Sequence, residues 1–131
     1  MFESTKTITL RDADGAGVLF FARYLALAHD VYEEFMASRG ISFRQIIEDG
    51  HWILPVVHAE SDYHKPLWMG DRVNIRLTVA EITKRSVSLE YEFVTPDGDI
   101  AARCKTVHVA VDKRAGRAMP LPDELVAALT Q

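Results

Sequence analysis

The stretch best equipped for chemistry runs Arg11-Asp12-Ala13-Asp14-Gly15-Ala16-Gly17-Val18-Leu19-Phe20-Phe21. It holds two acids, then two glycines, then the start of an apolar helix. The glycines permit a tight turn and close backbone approach. A helix start offers N–H groups without internal acceptors, at the positive end of the helix dipole. A carboxylate facing such a start can attack an activated acyl group, or activate water against it. The free N–H groups then hold the developing oxyanion. Asp14 is the candidate for that role, with Gly17 shaping the loop. Its ordinary competing role is to cap the turn or the helix. Asp12 reads as an acid that fixes the loop.

The loop needs elements on both sides. Thr5 to Leu10 alternates and predicts a first strand. From about Leu19 to Arg39 the period becomes helical, through Phe21, Tyr24, Leu25, Ala28, Val31, Tyr32, Phe35 and Met36. Gly40 predicts its stop. Ser42 to Asp49 reads as a short second helix, with Ser42 and Gln45 as a capping box and Gly50 as its end. Trp52 to Val57 is β-rich but interrupted by Pro55, which predicts an edge or bulge. Ala59 to His64 continues that strand, and Pro66 to Asp71 is a turn. Arg72 to Ile82 and Val87 to Phe93 alternate cleanly. Pro96-Asp97-Gly98 predicts a hairpin turn before a last strand, Ile100 to Val111. The apolar parity of that strand shifts between Cys104 and Val107, which predicts a bulge or a face shared with another subunit. Pro122 opens a short helix to about Leu129. Segregated helices and antiparallel strands define an α+β chain.

Bulk properties narrow the function classes. A chain of 131 residues is one domain with room for one core. A net charge of −4 gives no reason to expect nucleic-acid binding. No apolar run is long enough for a membrane helix, and Met1 to Thr7 lacks the make-up of a secretory signal. The lone Cys104 excludes an internal disulfide and points to a reducing cytoplasm. Neither a nucleophile elbow of the G-x-S-x-G type nor a His/Cys metal cluster is present. His58 and His64 read as hydrogen-bonding or interface residues.

Asp12-x-Asp14-x-x-Gly17, followed by Val18, Phe20 and the helix, resembles the 4-hydroxybenzoyl-CoA thioesterase branch of the hotdog-fold thioesterases. The resemblance spans nearly the whole chain, including Pro66-Leu67-Trp68-Met69-Gly70-Asp71-Arg72. It implies a hotdog fold, a long central helix wrapped by a twisted antiparallel sheet. It makes Asp14 the catalytic carboxylate and the Phe21 backbone N–H the group that polarises the thioester carbonyl. It also assigns Lys84-Arg85-Ser86, otherwise a polar hairpin turn, to the CoA nucleotide. Phe20, at the helix start, and His29, on the helix turn after Arg23 and Leu25, are read as substrate-lining residues. Within the branch, Asp14 to Val18, Phe21, His29 with Tyr32-Glu33, Val57-His58-Ala59 and Gly70-Asp71 resemble the 1,4-dihydroxy-2-naphthoyl-CoA hydrolases of phylloquinone and menaquinone synthesis. Gly15 matches them, where 4-hydroxybenzoyl-CoA thioesterase carries Pro. The His that enzymes for short aliphatic acyl groups usually carry at the position of Phe21 is absent. Phe20, Phe21 and Trp52 would suit a flat bicyclic acyl group. The resemblance implies a homodimer, commonly paired into a homotetramer, with no cofactor beyond the CoA of the substrate. Two alternatives stand: a broad thioesterase for aliphatic, benzoyl or phenylacetyl thioesters, and a non-catalytic acyl-binding module.

Overall fold

The computed structural model describes residues 1–131. Its main sheet has five antiparallel strands: β1 (Phe2–Thr7), β3 (Val56–Tyr63), β4 (Arg72–Ile82), β5 (Ser86–Val94) and β6 (Ile100–Val109). Their order is β1-β4-β5-β6-β3, so β1 and β3 are the edges. A short pair, β2 (Trp52–Ile53) with β7 (Val111–Asp112), lies apart. The sheet packs around α1 (Tyr24–Ser38), with α2 (Phe43–Asp49) and α3 (Asp123–Leu129) beside it. This is the α+β hotdog arrangement expected from the sequence.

Alternation explains the packing. Val73, Ile75 and Leu77 of β4 and Leu89, Tyr91 and Phe93 of β5 face inward and are buried. Against them α1 buries Leu27, Ala28, Val31, Phe35 and Met36, at spacings of three and four. Gly40 ends α1 as predicted. Its φ of +81° lets the Ile41 amide return 2.9 Å to the Met36 carbonyl, and Ile41 packs into the core. Ser42 accepts a 3.2 Å bond from the Gln45 amide at the start of α2. Pro55 breaks the Trp52-to-Val57 stretch where expected, between β2 and β3.

Three expectations need correction. The first strand is Phe2–Thr7, not Thr5 to Leu10; Leu10 opens a 3-10 turn and is 79% exposed. The long helix begins at Tyr24 rather than Leu19. The Leu19 amide goes to the Leu67 carbonyl and the Phe20 amide to the Asp12 carbonyl, so those residues stay extended, and a 3-10 turn (Phe21–Arg23) precedes α1. The parity shift in β6 is not a bulge between Cys104 and Val107, because pairing with β5 runs unbroken from Cys104 to Val107. Thr106 and His108 simply occupy inward positions. They are satisfied by a chain from Tyr91 Oη to Thr106 Oγ1 (3.0 Å), Thr106 to His108 Nε2 (2.9 Å) and His108 Nδ1 to the Leu54 carbonyl (3.4 Å). Burial holds the His108 imidazole below its usual range, so it stays neutral in the core.

Candidate active site

The Asp14 loop closes on itself. The Asp14 amide bonds the Val18 carbonyl at 2.8 Å, and the Gly17 amide bonds the Asp14 carbonyl at 3.1 Å. Gly17 sits at φ +84°, a conformation that costs an L side chain strain. Asp14 Oδ1 accepts the amides of Ala16 (2.8 Å) and Val18 (3.3 Å). The carboxylate is therefore anchored through one oxygen. Its Oδ2 has no partner in the chain, and the residue is exposed. The capping role weighed for Asp14 is realised within its own loop.

Asp12 holds the loop to the helix. It is 1% exposed. Its Oδ1 accepts Nε and Nη2 of Arg23 at 3.0 and 2.8 Å, and its Oδ2 accepts Thr9 Oγ1 and the Thr9 amide at 2.9 and 3.2 Å. Burial pushes this carboxyl up, but the hydrogen bonds from Thr9 and Arg23 outweigh it and leave it below the usual carboxylate range. Asp12→Ala should therefore destabilise the fold by about 2–4 kcal/mol, the scale of breaking a buried, hydrogen-bonded charge pair. Because the folded value is depressed, the contribution is complete above about pH 4 and fades as pH falls through the folded value. Chemical denaturation at pH 7 and at successively lower pH checks this: the gap between wild type and variant should be widest at pH 7 and shrink as the pH falls below about 4.

At the start of the 3-10 turn no side chain caps the backbone, and Phe20, its N-cap, is extended. The Phe21 amide finds no acceptor within the chain. Phe21 is 63% exposed, and its ring meets that of Phe20 at 4.7 Å. Asp14, Phe20 and Phe21 share an open cleft of about 400 Å³ with Leu19, Tyr24, Tyr63, His64, Lys65 and Pro66. Tyr63 donates to the Phe21 carbonyl at 3.1 Å and stacks edge-on against Tyr24 at 4.8 Å, which joins the end of β3 to the turn. The residue with the unpartnered carboxylate oxygen and the residue with the unpartnered amide thus line one open cleft, the pairing of groups that acyl transfer needs.

A family model described as the thioesterase-like superfamily matches residues 8–129. The chain belongs to this superfamily. It is 35% identical to a 1,4-dihydroxy-2-naphthoyl-CoA hydrolase of Rippkaea orientalis, over 96% of this chain and 93% of that protein. It is 33% identical to the enzyme of that name from Synechococcus elongatus, over 95% and 91%. The fold superposes on the crystal structure of a 1,4-dihydroxy-2-naphthoyl-CoA thioesterase from Synechocystis with a TM-score of 0.93 and 31% identity, covering 99% and 96% of the two chains.

In this superfamily member the residues singled out from sequence fall into three places. Asp14, Gly17, Phe20 and Phe21 come together. His29 does not join them: it lines a second cavity of about 350 Å³ with Tyr32, Glu33, Phe43, Ile46, Ile47, Trp52, Ile53, Leu54 and Pro55. Trp52 belongs there too, buried and donating to Glu124 at 3.2 Å, so the three aromatics expected to line one cleft are divided between two. Lys84, Arg85 and Ser86 form the β4–β5 turn, where Thr83 Oγ1 accepts the amides of Arg85 (3.3 Å) and Ser86 (3.0 Å). That turn lies at the far end of β4 from the Asp14 loop, roughly 35 Å along an eleven-residue strand. Within one chain the turn that the resemblance assigns to the CoA nucleotide and the carboxylate are thus well separated. Tyr63 and Lys65 are cleft residues that the sequence did not single out, and His64, read there as a hydrogen-bonding or interface residue, lines the cleft with them. They stand at and just beyond the end of β3, and long-range hydrogen bonds from Leu19 to Leu67, from Met69 to Gly17 and from Tyr63 to Phe21 place that end against the loop.

Cys104 is buried as read, with Ser61 Oγ at 3.3 Å, and burial pushes its thiol up, away from reactivity. His58 reaches Glu60 at 3.4 Å on the surface. No three His, Cys, Asp or Glu side chains gather as a metal-binding group. No helix is long and apolar enough to cross a membrane.

Proposed function

We propose that this chain hydrolyses 1,4-dihydroxy-2-naphthoyl-CoA to 1,4-dihydroxy-2-naphthoate and CoA. The carrying observation is the Asp14 carboxylate, anchored through Oδ1 and free at Oδ2, in one cleft with the unpaired Phe21 amide. The likeness to hydrolases of that name over the full chain supports the choice of acyl group. The thioester carbonyl accepts the Phe21 N–H, and Asp14 Oδ2 acts on the polarised carbon. As nucleophile it forms a mixed anhydride and expels the CoA thiolate, and water then cleaves the anhydride. As general base it takes a proton from water, whose oxygen attacks in a single displacement. Either route works without a strong general acid, because a thiol of reference pKa near 8.5 leaves readily as thiolate. No cofactor is required beyond the CoA that the substrate carries. On this reading the acid feeds phylloquinone or menaquinone synthesis in the cytoplasm.

The working unit is a homodimer, paired further into a homotetramer. The support is β3, an eight-residue edge strand exposed along almost its whole length, with Val56, Val57 and Tyr63 open to solvent. An unprotected edge of that length invites a partner strand. Antiparallel pairing of two copies about the middle of β3 sets Tyr63 of one opposite Val56 of the other. The Asp14 cleft of one copy then meets the second cavity of its partner, which Leu54 and Pro55 line just before β3. The same rotation carries the Lys84-Arg85-Ser86 turn toward the partner's carboxylate end.

The test is thiol release from 1,4-dihydroxy-2-naphthoyl-, 4-hydroxybenzoyl-, phenylacetyl- and butyryl-CoA, compared by kcat/KM. We expect a preference for the naphthoyl thioester of about 10²-fold or more, near 2.7 kcal/mol of differential transition-state binding. A flat profile would replace the naphthoyl assignment with a broad thioesterase. CoA binding without thiol release would point to the acyl-binding module.

A further inference from the structure

The second cavity carries a polar group that the chemistry above does not use. Seven of its ten lining residues are hydrophobic, which suits a flat ring. Tyr32 and Phe43 meet at 5.3 Å and form an aromatic wall. On α1, His29 and Glu33 stand one turn apart on the same face, both exposed at this cavity. Glu33 makes no ion pair or hydrogen bond within the chain. Its neighbour Glu34, by contrast, is held by Lys6 at 2.9 Å. A free carboxylate at the rim of an apolar cavity is an acceptor awaiting a donor. The Tyr32 hydroxyl is a different case, sealed beneath the wall without a partner. An entering ring therefore meets the rim pair and not the phenol.

We infer that Glu33, with His29 beside it, accepts a ring hydroxyl of the acyl group and selects hydroxylated aromatic acyl thioesters over bare ones. A phenol donating to a carboxylate is a charge-assisted hydrogen bond, roughly twice as strong as a neutral one. A ring without the hydroxyl would leave Glu33 desolvated and unpaired, which is how a polar site rejects an analogue that lacks the group. The assignment rests on the thioesterase reading and on the second copy that brings this cavity to Asp14.

The experiment compares 1,4-dihydroxy-2-naphthoyl-CoA with 2-naphthoyl-CoA, which differ only in the two hydroxyls, on wild type and Glu33→Gln. The expected result is a fall of tenfold or more in the ratio of the two kcat/KM values. His29→Ala should lower it in the same direction. A ratio held within about threefold in both variants, while wild type turns over the dihydroxy thioester, overturns the role of the rim pair and leaves the proposed function standing. Failure of wild type to hydrolyse either aromatic thioester removes the proposed function itself, and this assignment with it. Glu33 is exposed on a helix, so the substitution is not expected to disturb folding.

Discussion

Asp14→Asn should lower kcat/KM for the best acyl-CoA by at least 10²-fold, the typical loss when a positioned base or nucleophile is removed. The substitution is chosen for what it keeps. The asparagine side-chain oxygen can still accept the Ala16 and Val18 amides that Oδ1 accepts at 2.8 and 3.3 Å, so the turn retains its shape. What disappears is the charge and the free Oδ2, the one atom without a partner. The melting temperature should therefore stay near that of wild type, and the loss should fall on kcat. That pattern is opposite to Asp12→Ala, which removes a buried clamp and should show first as lost stability. Thiol release and thermal melting, run on both variants, separate the two acids. Turnover within about threefold of wild type for Asp14→Asn would end its catalytic assignment.

The division of labour between these acids was legible in the sequence only in part. Spacing marked both as loop residues before a helix, and an acid two positions closer to the glycines is nearer the turn. The partner that buries Asp12 is Arg23, eleven residues on, and nothing in a local window announces that bond. The helix start shows the same limit. Apolar periodicity runs back to Leu19, but Leu19 and Phe20 give their amides to Leu67 and Asp12, so tertiary hydrogen bonds override the local pattern. In β6 the pattern erred the other way. Thr106 and His108 looked like a change of face, because polar residues on an inward row are legible only once the Tyr91-to-Leu54 chain that satisfies them is seen.

The site residues divide along the same line. Asp14, Gly17, Phe20 and Phe21 lie within eight positions, and their assembly follows from one turn. His29 was assigned from its helix turn and the Lys84 turn on resemblance, and within one chain both lie away from the cleft. Helix geometry separates the start of α1 from His29, and strand length separates the β4–β5 turn from the loop. No rearrangement of a single chain of this topology closes a gap the length of β4. The homodimer proposed above would close that gap, with the unpaired β3 edge bringing the opposite end of a second copy alongside.

A site shared between two copies predicts an all-or-none readout. Asp14→Asn subunits lack the carboxylate but keep the second cavity. Ile53→Trp subunits keep the carboxylate, while a larger side chain at this partly exposed lining position fills the cavity. Each homodimer should be nearly inactive toward the naphthoyl thioester. Co-expressed in equal amounts, they should regain roughly a quarter of wild-type activity: half the dimers are mixed, and each mixed dimer holds one intact site, with Asp14 from one copy and the cavity from the other. Light scattering on the mixture should return twice the 14.7 kDa chain mass or a multiple of it. Were both halves of the site to come from a single chain, mixing would restore nothing, since every chain carries one defect. Activity that returns in the mixture while the parents stay silent can come only from a site shared across two copies.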